Sequence, residues 1–66
     1  MTAAGLSPRQ LECVRLLATG CTSAMIAERL KLSTHTVNQY IAGACTRLKV
    51  RNRTQLVAET IRLGVL

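Results

Sequence analysis

Apolar residues recur along the 66-residue chain at helical spacing, with no run of strand-like alternation. The stretch "LSPRQLECVRLLATG" puts Cys13, Val14, Leu17 and Ala18 on one stripe. Ser7 and Gln10 form an S-x-x-Q capping box, Pro8 suits a first helical position, and Gly20 can end the run. The first helix is therefore expected over residues 8–19. In "CTSAMIAERL" Thr22 is the natural cap, Met25 or Ile26 pairs with Leu30, and Ala27 is small between them, giving a second helix over 23–30. Ser33 caps a third helix over 34–48, whose stripe is Val37, Tyr40, Ile41, Ala44, Cys45 and Leu48. In "RNRTQLVAETIRLGVL" Asn52 and Gln55 offer a second capping box. Leu56, Val57, Thr60 and Ile61 form one face there, and Gly64 is a stop against which Val65 can fold back; the fourth helix spans 53–63. The opening "MTAAG" carries no pattern. Residues 1–5 read as a disordered start and 6–66 as one all-α domain of four helices.

Composition narrows the core. The chain is 48% hydrophobic but has a single aromatic residue, Tyr40, so the interior must be aliphatic. A domain of this size buries only about 60% of the surface its unfolded chain exposes, so those residues must be well used. Nine Lys and Arg against three Glu give +6, which favours an anionic partner: nucleic acid, acidic protein or anionic membrane. No apolar run reaches the ~18 residues of a membrane span, and no basic-then-apolar leader opens the chain. A cytoplasmic protein without membrane attachment is expected. Three cysteines and one histidine, with no C-x-x-C, lack the ligand spacing of a zinc site, so no metal and no cofactor are expected. Cys13, Cys21 and Cys45 read instead as small hydrophobes in a reducing compartment.

The second and third helices and their short link match the helix-turn-helix pattern. Ala27 marks the close crossing, Leu30 and Leu32 flank the turn, and Val37 and Tyr40 pack the third helix onto the second. The opposite face of the third helix is left free, with His35, Asn38, Gln39, Ala42 and Thr46 on it. In this motif the N-terminal half of the second helix meets base edges in the major groove. Asn and Gln amides each carry a donor and an acceptor, and can pair with adenine N6 and N7 for about 1–3 kcal/mol of discrimination. Asn38, Gln39, Ala42 and His35 are thus the candidate base contacts. Thr36, Ser23 and Thr34, with Lys49, Arg51 and Arg53 beyond the third helix, are the candidate phosphate contacts. Gly43 at mid-helix costs roughly 1 kcal/mol against Ala, and is explained either by close approach to a backbone or by drift.

Residues 6–66 resemble the LuxR-type (GerE-like) DNA-binding domain of bacterial transcription regulators. The pieces that carry the resemblance are "LSPRQLECVRLLATG", "IAERLKLSTHTV", "RLKVRNRTQLV" and "IRLGVL", contiguous and in order. The resemblance implies a four-helix domain that reads double-stranded DNA with its third helix. It also implies a homodimer, formed through the fourth helix at Ala58, Glu59, Arg62, Leu63 and Leu66, on a two-fold symmetric promoter site. "NRTQLV" and "IRLGVL" look closest to the quorum-sensing branch. The chain departs from the family at Tyr40 (usually His), Asn38 (often Lys) and Lys49 (often Gly); Lys49 is therefore expected in a left-handed conformation at about 1 kcal/mol cost. Glu12 is expected to serve structure, paired with a base such as Arg47.

No second acid, base or nucleophile accompanies Glu12 or His35, so no enzyme is expected. The competing reading is a sigma-factor-like module docking on RNA polymerase or on a regulator protein, which shares the fold but binds no short palindrome. RNA polymerase is a possible partner under either reading. A membrane-lying basic peptide is a third possibility, and the caps and glycine stops argue against it.

Overall fold

The computed structural model describes residues 3–66. Four α-helices follow one another: α1 (Pro8–Ala18), α2 (Ser23–Leu30), α3 (Thr34–Leu48) and α4 (Arg53–Arg62). The fold is all-α. The ends of α1 and α4 fall one residue short of expectation, because Thr19 and Leu63 serve as C-caps.

Each start has a local cause. The Ser7 and Gln10 box closes in both directions: Gln10 N–H donates to Ser7 Oγ (3.1 Å) and Ser7 N–H to Gln10 Oε1 (2.8 Å). Thr22, Ser33 and Asn52 cap α2, α3 and α4 through their side-chain oxygens. The second box is incomplete. Asn52 Oδ1 accepts from Gln55 N–H, but Gln55 Oε1 accepts from Arg51 N–H (2.8 Å), so the glutamine ties down the preceding loop and not its own cap. Lys31 and Lys49 end α2 and α3 at φ 56° and 58°. After each, the next N–H reaches five residues back: Leu32 to Ala27 O (2.9 Å) and Val50 to Cys45 O (3.0 Å). Val65 folds back on Thr60 O in the same way (2.9 Å).

The core is aliphatic: Leu6, Cys13, Val14, Cys21, Ile26, Ala27, Val37, Ile41, Ala44 and Leu56 are buried, with Tyr40, Cys45, Leu30, Leu32 and others packed on its edge. Of the pair left open for α2, Ile26 is the inward residue; Met25 is 46% exposed. On α4, Leu56 and Thr60 face inward but Ile61 is 61% exposed, against expectation. At 3.6 residues per turn Ile61 stands about 140° around the helix from the buried Leu56 and about 100° from the buried Thr60.

Three further expectations change. Residues 1–5 were expected to be disordered; Ala3–Gly5 form a 3-10 turn, while Met1 and Thr2 lie outside the described residues. Arg47 Nε donates to the Gly5 carbonyl (3.2 Å), so Arg47 ties this turn to α3 and does not pair with Glu12. Glu12 pairs instead with Arg9, one turn back on its own helix (3.4 Å). Gly43 faces the Gln10 amide: a Cβ there would come within 2.8 Å of Gln10 Nε2. The glycine therefore makes room for the capping glutamine of α1, a reason internal to the fold.

Candidate nucleic-acid interface

α3 buries Val37, Ile41 and Ala44 and half-buries Tyr40, so its other side is committed to solvent. His35, Asn38, Gln39, Ala42 and Thr46 are all exposed there. The Gln39 amide has no hydrogen-bond partner among the described residues and retains both its donor and its acceptor. Ala42 and Thr46 share an open groove with Arg51, Arg53 and Thr54, so the link after α3 flanks the exposed face of the helix. The first turns of α2, α3 and α4 contain no acidic residue, which leaves the positive ends of their dipoles uncompensated.

The candidate phosphate contacts divide. Thr34, Lys49, Arg51 and Arg53 are exposed and Thr36 is half-buried. Ser33 Oγ donates to Thr36 Oγ1 (2.8 Å), so the Thr36 proton remains free for an anion. Ser23 differs from expectation. Its side chain is buried, its hydroxyl donates to Asn38 Oδ1 (2.7 Å), and it accepts from Arg53 Nη1 (2.6 Å). A hydroxyl has one proton, and here Asn38 holds it. The Ser23 side chain has no donor left for phosphate; only its main-chain N–H in the first turn of α2 can serve.

Asn38 is engaged as well. Besides Ser23, its Oδ1 accepts from Arg53 Nη2 (2.6 Å), which fills both lone pairs of the oxygen and leaves the NH2 group free. Pairing with adenine needs that oxygen as an acceptor. A hydrogen bond from a charged donor is worth about 1.5–3 kcal/mol, the same order as the ~1–3 kcal/mol a bidentate base contact returns. Neither clearly outweighs the other. Gln39, with nothing to give up, is the better placed reader of the two amides.

On α4 and just beyond it, Ala58, Arg62, Leu63 and Leu66 are exposed and Glu59 is half-buried. Arg62 forks onto Glu59, Nε to Oε1 and Nη2 to Oε2, both at 2.7 Å. The hydrogen bond from Arg62 holds the Glu59 carboxyl below its ordinary range. Ile61 belongs with this exposed set; its angular offset from Leu56 was the signal in the sequence. Among the described residues no group of three or more His, Cys, Asp or Glu is placed to hold a metal. No helix there is long and apolar enough to cross a membrane.

Comparison with known proteins agrees with this geometry. The family described as "Bacterial regulatory proteins, luxR family" matches residues 4–60. The chain is 38% identical over 61 residues to the spore germination protein GerE of Bacillus subtilis, covering 92% of this chain and 82% of that protein. It is 39% identical over 61 residues to the quorum sensing-dependent transcriptional regulator VjbR of Brucella ovis, again 92% of this chain but only 24% of that longer protein. The solved structure of the transcription factor GerE superposes with a TM-score of 0.85 at 34% identity, covering 89% of this chain and 88% of that one.

Proposed function

The chain belongs to the luxR family of bacterial regulatory proteins, as a helix-turn-helix DNA-binding domain of a transcription regulator, and from that premise we propose that it binds a two-fold symmetric promoter site as a dimer. α3 lies in the major groove. Gln39, His35 and Ala42 meet base edges. Thr36, Thr34, Lys49, Arg51, Arg53 and the first-turn N–H groups of α2 meet phosphates. Two copies join through α4, at Ala58, Glu59, Arg62, Leu63 and Leu66, with Ile61 among them. The likeness to VjbR supports a regulator of the quorum-sensing type, and a DNA target in a bacterial cell implies work in the cytoplasm.

The observation that carries the reading is the two-sidedness of α3: Val37, Ile41 and Ala44 are sealed in the core while Asn38 and Gln39 stand in solvent. Selection from random duplexes tests it. The expected product is a palindrome whose half-sites lie about 10 base pairs apart, one helical turn. Gln39→Ala should then weaken the selected site by about 1–3 kcal/mol and leave a scrambled duplex unaffected. A selected pool without symmetry would remove the dimeric reading, and equal losses on both duplexes would remove Gln39 from base reading.

A further inference from the structure

We propose that Asn38 is a positioning residue, which aims Arg53 at the DNA backbone and spends its amide oxygen on that task and not on adenine. The inference rests on the DNA-binding reading above and assigns a different role within the same site. Three helices contribute one group each: Ser23 opens α2, Asn38 lies in the first half of α3, and Arg53 opens α4. Their three hydrogen bonds close a ring. Ser23 Oγ donates to Asn38 Oδ1 at 2.7 Å, Arg53 Nη1 donates to Ser23 Oγ at 2.6 Å, and Arg53 Nη2 donates to Asn38 Oδ1 at 2.6 Å. Arg53 only donates, the Asn38 oxygen only accepts, and the buried serine between them does one of each, so the ring uses both lone pairs of that oxygen and the single serine proton.

The electrostatics give the ring its use. Both acceptors of Arg53 are neutral. The ion pairs among the described residues are Arg9 with Glu12 and Arg62 with Glu59, so no carboxylate offsets the Arg53 charge. A long, exposed side chain is thereby fixed in direction while its charge stays available to an anion. An Asp at position 38 would fix it equally well but would partly neutralise it, and a Lys there would repel it. The remaining guanidinium N–H groups, in the acid-free first turn of α4, suit a phosphate oxygen.

A double-mutant cycle on DNA affinity tests the assignment. Wild type, Asn38→Ala, Arg53→Ala and the double variant are titrated with the selected duplex and with a scrambled duplex of the same composition. Releasing one rotamer-rich side chain should weaken binding by ~3–10-fold, and Asn38→Ala should do so to the same degree on both duplexes. In the Arg53→Ala background the Asn38 change should add less than twofold, because the group it positions is gone. Ser23→Ala opens the ring from the other side and should behave alike, with helical circular dichroism retained throughout. A loss confined to the selected duplex, a full repeat of the loss in the Arg53→Ala background, or no loss at all overturns the positioning role while leaving the DNA-binding reading intact. A wild-type domain that binds neither duplex removes that reading, and this inference with it.

Discussion

Cys13 is fully buried in a core made mostly of aliphatic side chains. Burial, and secondarily the negative charge of Glu12, push its thiol above the ordinary range, although Arg9 pulls the other way. The thiol stays protonated at neutral pH and acts as a small hydrophobe. Cys13→Ser exchanges it for a hydroxyl with stronger hydrogen-bonding demands and should cost about 1–3 kcal/mol in urea unfolding; an unchanged midpoint would contradict the packing described. The same shift fixes a pH dependence. The folded thiol binds its proton more tightly than the unfolded one, so its contribution is intact below the unfolded thiol pKa and is lost as pH rises through the folded value. Cys13→Ala should therefore flatten part of the alkaline loss of stability.

At the scale of elements, the two lysines that end α2 and α3 carry the clearest strain. Lys31 and Lys49 hold φ 56° and 58°, a region that crowds Cβ against the following carbonyl by roughly 1–2 kcal/mol. Glycine avoids the crowding but loses more freedom on folding, so the net gain from Lys31→Gly should be about 0.5–1 kcal/mol. For a domain of this size that raises the melting temperature by about 2–8 °C. Lys49→Gly should stabilise similarly and yet weaken binding to every duplex, since it removes a candidate phosphate contact. A matched loss of stability in both variants would show that the caps use the lysine side chains themselves. The helix starts need no such test of context: Ser7, Thr22, Ser33 and Asn52 cap where the sequence places them, because a cap bonds within three residues of itself.

For the whole molecule, the +6 charge is spread over all four helices, whereas three of the four large exposed apolar residues lie near the end of the chain. Arg51 and Arg53 line the groove beside the open face of α3, and Ile61, Leu63 and Leu66 stand exposed at the end of α4 and beyond it. Ile61 is 61% exposed, so Ile61→Glu should leave the thermal transition nearly unchanged. It should weaken binding to a two-half-site duplex by at least about 10-fold through lost avidity, and leave a single half-site bound as before. Fluorescence anisotropy on the two duplexes separates the outcomes; equal affinity changes on both would place the dimer contact elsewhere.

Sequence alone determined the four helices, their N-caps, the inward face of α3 and the exposed amides, because these depend on contacts within a turn or two of the chain and on the 3.6-residue period. Tertiary structure decided what periodicity leaves open. It placed Ser23, Asn38 and Arg53 in one ring across 15 and 30 positions of chain. It sent Arg47 to the Gly5 carbonyl 42 positions away and turned Ile61 outward. Side chains that reach between elements choose partners by how the helices cross, and that crossing is set by the whole core at once.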